Sequence, residues 1–317
     1  MKAIILKQFG GIENLQLSDL PVPLIQENEV LVKLIAISIN PVDVKTRAGK
    51  GAAASLRNEN PMILGWDICG LVTETRSPLF KEGDVVFGMV NFPGHGKAYA
   101  EYVAAPAGQL ALKPANITHE AAAAATLAAL TAWQNLTKHT QIAAGDQVLI
   151  HAASGGVGHY AVQIAKHLGA YVIGTASGAN KDFVMGLGVD QFIDYKTQKF
   201  EDVVSDVDLV LDTIGGANIE PSLKVIKKGG TLISIPSGLS DDVKQKAAAM
   251  GIHGFSTMVT SNGDDMQAIA ERLANGAIKS YVSRTFAFED MGKAHLQLES
   301  GSTTGKVVLW LNGPDSQ

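Results

Sequence analysis

The segment Ala153–Gly158 has the clearest chemical pattern in this sequence. It reads ASGGVG, follows the apolar run Gln147–Ala153 and leads into a helical pattern. It matches G-x-G-x-x-G except that alanine replaces the first glycine. Gly155 lets the backbone approach a pyrophosphate and Gly158 lets the helix pack on the strand, while free N–H groups at a helix start bind phosphates. The predicted dinucleotide-binding residues of the turn are Ser154, Gly155, Gly156, Val157 and Gly158.

The end of the second predicted strand bears on the choice of dinucleotide. Sites for NAD place Asp or Glu there, about 20 residues after the glycines, to bind the ribose 2′-hydroxyl. This strand ends at Ser177 without a carboxylate, Lys181 follows, and Tyr195 ends the third strand. A hydroxyl, an ammonium and a phenol suit a 2′-phosphate, so NADPH is the predicted cofactor. The competing interpretation makes Lys181 a solvated lysine, and Asp182 beside it opposes a phosphate.

Regular alternation of strand and helix patterns surrounds this turn. Six mostly continuous apolar runs, each followed by a helical pattern, predict a doubly wound parallel sheet buried on both faces. This context favours dinucleotide binding over a turn whose glycines are needed for steric reasons alone. The predicted strands are Gln147–Ala153, Tyr171–Ala176, Gln191–Tyr195, Val207–Ile214, Thr231–Pro236 and Ile252–Val259.

The flanking segments predict a compact β-barrel-like domain. Val30–Ile39 is β-branched and apolar, and stops where Pro41 ends regular pairing. Short strand patterns precede a predicted helix from Thr118 to Leu136, and strand patterns return after Gly276. We therefore expect residues 1–123 and 276–317 to form one β-rich domain, with a nucleotide-binding domain of residues 124–275 inserted between them.

Composition narrows the class of protein. A length of 317 residues predicts two domains. The net charge of −5, without a basic tract, argues against nucleic acid as a partner. The single cysteine, Cys69, excludes an intramolecular disulfide and a tetrathiolate zinc lobe. Signal-peptide features are absent from the first residues, and no apolar run approaches the roughly 20 residues of a membrane span. We expect a cytoplasmic enzyme.

Eight motifs, in order from one end of the chain to the other, carry a family resemblance. They are Ile39–Asp43 (INPVD), Gly65–Gly70 (GWDICG), Glu82–Gly88 (EGDVVFG), Ala100–Val103 (AEYV), Leu130–Trp133 (LTAW), Val148–Gly158 (VLIHAASGGVG), Asp212–Gly216 (DTIGG) and Gly305–Val308 (GKVV). The chain resembles the medium-chain dehydrogenase/reductase superfamily, in its zinc-independent quinone-oxidoreductase-like branch. The resemblance implies an α/β fold with a GroES-like β-rich domain and a six-stranded Rossmann NADP-binding domain.

Departures from the zinc-dependent relatives bear on mechanism. Alcohol dehydrogenases of the superfamily have a metal-binding cysteine near the segment matching Asn40–Asp43, then a Gly-His-Glu motif. Here the first segment has no cysteine and Trp66 replaces the ligand histidine. Cys69 and His95, the nearest remaining ligand types, do not make a three-ligand site. We therefore predict no catalytic metal and assign Cys69 to the core.

The resemblance, without a metal, implies reduction of a quinone or an α,β-unsaturated carbonyl. Hydride adds to the β-carbon, and hydrogen-bond donors stabilise the charge that develops on an enolate oxygen. One alternative is an enoyl-thioester or 2-enal reductase, although no basic patch suits a coenzyme A phosphate. Another is a non-catalytic NADPH-binding regulatory protein, which the intact nucleotide turn and the intact Asn40/Asp43 segment disfavour.

The resemblance also implies roles for single residues. The segment with Asn40 and Asp43 would face nicotinamide and substrate, with Asn40 positioning the nicotinamide ribose or the substrate oxygen. Asp43, expected to be exposed and ionised, would orient the segment or Lys45 rather than donate a proton. Lys45 stands where many quinone reductases have tyrosine, and either donates to the substrate oxygen or is solvated. The remaining residues implied to bind cofactor are Thr131, Ile214, Ile235, Pro236 and Lys306. Their alternative is strand-end packing or, for Lys306, a surface charge.

Three histidines have predicted positions. His151 lies inside an apolar strand and is predicted to be a core residue whose hydrogen-bonding groups are satisfied, whereas His159 and His167 are expected on helix surfaces. The apolar, β-branched run Ile252–Val259 would form a sheet edge that invites pairing with another chain. Related proteins pair this strand about a two-fold axis, so we expect a homodimer.

Overall fold

A computed structural model describes residues 1–236 and 238–311. The strands in this part of the chain are β1 (Lys2–Leu6), β2 (Leu15–Asp19), β3 (Glu29–Ile39), β4 (Asp67–Thr75), β5 (Val85–Met89), β6 (Tyr102–Pro106), β7 (Leu110–Leu112), β8 (Gln147–Ile150), β9 (Tyr171–Ala176), β10 (Gln191–Asp194), β11 (Val207–Asp212), β12 (Ile226–Ser234), β13 (His253–Ser256), β14 (Val282–Ala287) and β15 (Lys306–Trp310). The helices are α1 (Pro41–Arg47), α2 (Ala53–Leu56), α3 (His119–Ala124), α4 (Leu127–Thr137), α5 (Gly158–His167), α6 (Lys181–Gly186), α7 (Ile219–Val225), α8 (Asp241–Ala249), α9 (Gly263–Ala274) and α10 (Met291–Glu299).

The chain divides into two compact units. The barrel unit comprises Met1–Leu130 and the described residues from Val259 onward, and the inserted unit is Thr131–Met258. This division differs from the predicted boundaries at 123/124 and 275/276. Helix α9 continues the strand–helix alternation in sequence, but it packs against β5 and β7 of the barrel unit. Asn116 Nδ2 of that unit also donates to Ala274 O over 2.9 Å, so tertiary contacts assign α9 to the barrel.

The barrel unit is built around the long strand β3. Its main sheet has the order β14-β15-β3-β4-β5-β7, and β6 also pairs with β3. All of these pairings are antiparallel except that of β14 with β15. Fully buried side chains such as Val32, Ile37, Trp66 and Phe87 form its core. The expected β-rich domain is therefore confirmed, and β15 brings the chain from beyond residue 300 back beside β3.

The inserted unit is a six-stranded parallel sheet. Its order is β10-β9-β8-β11-β12-β13, the doubly wound arrangement. Val148, Val172, Val210 and Leu232 are buried on these strands, as continuous apolar runs predict. Because the strands are parallel, their carboxyl ends all lie at one edge of the sheet. The predicted sheet is confirmed, and this edge is where ligands bind in such folds.

The alanine-rich segment forms two helices instead of the single predicted one. The break falls at Ala125 and Thr126, where the Thr126 hydroxyl donates to Ala123 O over 2.9 Å. Helix α4 then begins with Leu127 N donating to Asp67 Oδ1 over 3.0 Å. A carboxylate from a distant strand thus satisfies one of the unpaired N–H groups at the start of α4.

Local differences from the expectations have physical causes. Pro41 does follow the end of β3, but it also occupies the first turn of α1, where its missing N–H costs nothing. Of the two histidines predicted to lie on helix surfaces, His167 is exposed as predicted. The surface position predicted for His159 is wrong, because it is fully buried with Nδ1 2.9 Å from Gly155 O. In the part of the chain that the structure describes, no helix combines the length and apolar character needed to cross a bilayer.

Candidate functional site

The glycine-rich turn joins β8 to α5 at the carboxyl edge of the parallel sheet. Ala152 has a φ of 49°, in the left-handed region, and its carbonyl accepts from Gly155 N over 2.8 Å. A Cβ on Gly158 would lie 2.1 Å from Ala152 O, and one on Gly155 would lie 3.1 Å from it. Glycine at position 158 is therefore required sterically. The predicted residues Ser154, Gly155, Gly156 and Val157 lie between strand and helix, as a phosphate-binding turn requires.

A second predicted group lies at the ends of the neighbouring strands. Ser177 follows β9, Lys181 is the exposed first residue of α6, and Tyr195 follows β10. Asn180 Nδ2 donates to Ser154 Oγ over 3.2 Å and to Ser177 Oγ over 3.3 Å. Asn180 was missed in the sequence, where its position three residues after Ser177 was the available signal. It links the turn to the region predicted to hold the 2′-phosphate.

Asp194 introduces a negative charge near this group. Its Oδ2 lies 2.5 Å from the position that a Cβ on Gly178 would take, so the carboxylate lies against the turn that follows β9. Oδ1 accepts from Lys196 N over 3.0 Å. A carboxylate here opposes a phosphate by charge repulsion and counts, with Asp182, against the Lys181 hypothesis.

Asp212, part of the motif Asp212–Gly216 but given no role from the sequence, holds the loop at the end of β11 in place. Asp212 ends β11, is fully buried and accepts from Ile214 N and Gly215 N, each over 3.0 Å. Ser234 Oγ of β12 donates to it over 2.9 Å. These bonds hold the loop in which the side chain of Ile214 is 51% exposed. The half-buried Ile235 and Pro236 follow β12 at the same edge.

Thr131 lies apart from these residues in helix α4. Its side chain is buried, and its carbonyl accepts from Asn135 Nδ2 over 2.7 Å. Asn135 Oδ1 in turn accepts from the hydroxyl of Thr257, which follows β13, over 2.7 Å. These two bonds connect Thr131, through Asn135, with the segment that follows β13.

In the barrel unit, Asn40 lies at the centre of a buried polar network. Asn40 Nδ2 donates to Asp67 Oδ2 over 2.8 Å. Lys306 Nζ donates to Asn40 Oδ1 and, over 3.2 Å, to Ile39 O, and it lies 3.5 Å from Asp67 Oδ2. Lys306 is only 3% exposed. This burial contradicts the surface charge that was the alternative interpretation. Lys306 is the internal counter-ion of Asp67; burial lowers the pKa of its ammonium, and the charges of Asp67 and Asp43 oppose that shift.

Asp43 is buried in the same region, so its predicted exposure is wrong. Oδ2 accepts from Asn40 N over 2.8 Å, and Oδ1 accepts from the Tyr99 hydroxyl over 3.0 Å. The Tyr99 oxygen lies 3.0 Å from His295 Nε2. Burial, with the charge of Asp67, raises the pKa of Asp43 to about 7. Burial, with the charge of Arg47, lowers the pKa of His295 to about 3. A role of Asp43 in orienting this segment is consistent with its position, because its carboxylate caps the start of α1.

Lys45 differs from these residues in its exposure. Asn40 and Asp43 are buried at the start of α1, whereas the side chain of Lys45 is exposed on the same helix. Two residues of a helix span about 200°, so Lys45 and Asp43 project to opposite sides. The structure therefore brings Asn40, Asp43 and Lys306 together in one buried network and places the side chain of Lys45 on the exposed side of α1.

Comparison with known proteins decides the family. A model described as "Alcohol dehydrogenase GroES-like domain" matches residues 26–115, and one described as "Zinc-binding dehydrogenase" matches residues 187–309. The NADPH-dependent alkenal/one oxidoreductase of Arabidopsis thaliana is 35% identical over 98% of this chain and 79% of its own length. The chain belongs to the medium-chain dehydrogenase/reductase superfamily. Within this superfamily, it falls in the quinone-oxidoreductase-like branch.

Solved structures of the superfamily share the whole fold. The quinone oxidoreductase from Coxiella burnetii has a TM-score of 0.93 and 36% identity, covering 98% of this chain and 99% of that one. The Escherichia coli quinone oxidoreductase complexed with NADPH has a TM-score of 0.87 and 27% identity, covering 98% and 100%. The barrel unit is thus the GroES-like domain of the superfamily, and the inserted unit is its Rossmann-type domain.

Zinc, which one family description implies, does not fit the residues present. Trp66 is buried, and its Nε1 donates to Gly94 O over 2.7 Å. Cys69 is fully buried in the core as predicted, and burial raises the pKa of its thiol to about 12. His95 is held by Glu59 and Ile63. Within residues 1–236 and 238–311, no group of three or more His, Cys, Asp or Glu side chains is arranged to hold a metal ion.

Proposed function

We propose that this protein is an NADPH-dependent oxidoreductase that reduces quinones or carbonyls conjugated to a C=C bond, such as enals and enones. The observation that carries the proposal is the glycine-rich turn after β8, next to a strand β9 that ends without a carboxylate. A relative named for alkenal/one reduction and structures named quinone oxidoreductase support this substrate class.

The carboxyl edge of the Rossmann-type sheet fits NADPH. The close approach of Gly158 to Ala152 O leaves no room for a side chain and brings the start of α5 against the turn. Ser154, Gly155, Gly156, Val157 and Gly158 would bind the pyrophosphate through N–H groups. Ser177, Lys181 and Tyr195 would bind the 2′-phosphate, with Asn180 holding Ser154 and Ser177 in place. Thr131, Ile214, Ile235 and Pro236 would contact the rest of the cofactor.

The chemistry of the proposal divides between cofactor and protein. NADPH supplies the hydride for the β-carbon of the substrate. Asn40, Asp43 and Lys306 act as a fixed internal network, because burial and mutual bonds occupy them. Lys45, an exposed ammonium on α1, is the residue that would donate a hydrogen bond to the developing enolate oxygen. Because the described residues offer no metal-ligand set, the proposal assigns that charge to hydrogen-bond donors: side chains, backbone N–H groups or water.

The decisive experiment is steady-state NADPH consumption over a panel of quinones, enals, enones and enoyl-coenzyme A thioesters. Turnover of quinones, enals or enones, unchanged by a chelator and faster than with NADH, is the expected result. Turnover of thioesters alone would replace the proposed substrate class by that of an enoyl-thioester reductase. NADPH binding without turnover of any compound would contradict an enzymatic function. Activity lost with the chelator and restored by zinc would contradict the metal-free mechanism.

A further inference from the structure

The imidazole of His151, the residue between β8 and the left-handed Ala152, bonds to two neighbouring elements. It is 1% exposed. Nδ1 lies 3.1 Å from Thr175 Oγ1 on β9, and Nε2 lies 3.1 Å from Ser222 Oγ on α7. The Thr213 hydroxyl donates to the His151 carbonyl over 2.8 Å. His151 therefore connects the end of β8 to β9, to α7 and to the loop after β11.

Burial lowers the pKa of His151 to about 4, so the imidazole is neutral at physiological pH and carries one N–H. Ser222 Oγ donates to Asn218 O over 2.7 Å, so its oxygen must accept from Nε2–H. Because the neutral ring carries its one hydrogen on Nε2, Nδ1 has none and accepts from the Thr175 hydroxyl, whose oxygen accepts from Ala152 N over 3.3 Å.

Ala152, at the far end of this chain of bonds, determines the shape of the turn. Its left-handed φ of 49° is a conformation that non-glycine residues adopt only when surrounding contacts hold them in it. Its carbonyl accepts from Gly155 N over 2.8 Å and faces the backbone of Gly158. A displacement of Ala152 would therefore move the glycines whose N–H groups are proposed to bind phosphate.

We propose that His151 is a positioning residue for the dinucleotide site, acting through Thr175 and Ala152. By accepting from the Thr175 hydroxyl, Nδ1 orients the Thr175 oxygen toward Ala152 N and holds the turn in its phosphate-binding conformation. His151 itself does not contact the cofactor. The inference rests on the proposed function, because it assigns a support to the NADPH site described above.

The two ring nitrogens of His151 have different partners, so a positioning role can be tested separately from a role in the core. The bond to Ser222 and the edge-on contact with Phe200, with ring centroids 4.6 Å apart, stabilise the core beside α7. Only the bond to Thr175 leads to the turn. In His151→Asn the amide oxygen can take the place of Nδ1 and keep the bond to Thr175, but nothing reaches Ser222. In His151→Gln the amide nitrogen can take the place of Nε2 and keep the bond to Ser222, while the bond to Thr175 is lost.

The test measures the Kd for NADPH by fluorescence titration and the thermal midpoint of each variant. We expect His151→Asn to stay within about twofold of the wild-type Kd and His151→Gln to raise it about tenfold, the effect of one hydrogen bond. Both variants should lower the thermal midpoint, because each leaves one buried polar group without its partner. Thr175→Val should raise the Kd as His151→Gln does, and Thr175→Ser should restore it.

The outcomes separate this inference from the proposed function. Equal increases in Kd for the Asn and Gln variants, or a Kd that follows the thermal midpoint, would reduce His151 to a core residue while NADPH binding stands. If neither His151 variant folds, an unchanged Kd in Thr175→Val would overturn the inference by itself. A wild-type chain that does not bind NADPH would overturn the proposed function, and this support role with it.

Discussion

Asp43, Asp67 and Lys306 are ionisable side chains with almost no contact with water. Burying an isolated charge is costly, and such groups persist only where partners satisfy them. Lys306 donates to Asn40 and lies within ion-pair distance of Asp67, while Asp43 accepts from Asn40 N and from Tyr99. The network therefore fixes the start of α1, while the side chain of Lys45 on the same helix is exposed to solvent.

Replacing Lys45 tests whether its ammonium stabilises the substrate oxygen. Lys45→Met should lower kcat for an enone by about 10²–10³-fold and leave the Kd for NADPH unchanged, because the proposed contact forms with substrate charge. The matched control is Lys81→Met, which removes another exposed lysine of the barrel unit. If Lys45→Met turns over an enone as fast as the wild type, Lys45 does not stabilise the enolate charge. Backbone N–H groups or water must then stabilise it.

Replacing Lys181 tests the choice between NADPH and NADH. Lys181→Ala should raise the KM for NADPH about 10- to 100-fold, the value of a charge-assisted contact, with little change for NADH. Asp194→Asn should have the opposite effect, because it removes a negative charge beside the same turn. Lys224→Ala, on the exposed surface of α7, is the control. If the wild-type protein uses NADH better than NADPH, the proposed binding of the 2′-phosphate at this site is wrong.

The shifted pKa of His295 predicts how stability depends on pH. Its pKa is about 3 in the folded state against 6.5 for the free side chain, so its contribution is complete above pH 6.5 and is lost as pH falls toward 3. Between pH 7 and pH 5 the wild type should lose about 2 kcal/mol of unfolding free energy relative to His295→Phe. Chemical denaturation at both pH values measures this difference.

Two further residues bear on that comparison: Asp43, whose pKa shift acts on stability as well, and His167, which supplies the control. The raised pKa of Asp43 acts in the opposite direction, since its contribution is present below pH 3.8 and is lost as pH rises through about 7. Asp43 is present in both proteins, so the comparison removes the part of its effect that does not pass through Tyr99 and His295. His167→Phe removes an exposed histidine. Equal pH effects from the two histidine substitutions would refute the assignment to His295.

Some of these residues could be assigned from the sequence and others could not, for a physical reason. The glycines of the turn follow from neighbours within a few residues, because a turn is a local structure. Burial of Asp43 depends on Tyr99 and His295, which are 56 and 252 positions away along the chain. Lys306 is 266 positions from Asn40. No local pattern reports such contacts, so the exposure predicted for Asp43 was wrong.

At the scale of elements, apolar runs predicted the strands of the parallel sheet well because those strands are buried on both faces. The residues at which strands and helices begin were less predictable. Strand β12 begins at Ile226, ahead of the predicted Thr231, because Ile226 pairs with Val207. Helix α4 begins at Leu127 because Asp67 accepts from Leu127 N. Both ends depend on residues from other parts of the chain.

The junction of β8 and α5 provides a test at this scale. Gly158→Ala should lower the unfolding free energy by roughly 1–3 kcal/mol through overpacking, and it should weaken NADPH binding, because its Cβ would lie 2.1 Å from Ala152 O. The control, Gly186→Ala in α6, places a Cβ where no heavy atom lies within 4 Å. It should leave stability unchanged or raise it by up to about 1 kcal/mol. Equal effects at the two positions would show that the close approach has no role.

At the scale of the whole molecule, β13 is one edge of the parallel sheet. Its outer N–H and C=O groups invite pairing with another strand, and we predict a homodimer formed there about a two-fold axis. Light scattering at micromolar concentration should give about twice the chain mass of 33.3 kDa. Ser256→Lys, which places like charges near the axis, should shift the mass toward monomer, whereas Ser256→Thr should not. A monomeric wild type would contradict the prediction.

The pairing of β15 with β3 has a consequence for synthesis on the ribosome. Asp67 emerges early, but its cation, Lys306, is made only after every strand of the inserted unit has been translated. The Rossmann-type unit, which is continuous in sequence, is thus able to fold while the barrel still lacks β14 and β15 and Asp67 lacks its counter-ion. The barrel strands that precede the inserted unit in the chain therefore belong to an interior that is completed after that unit.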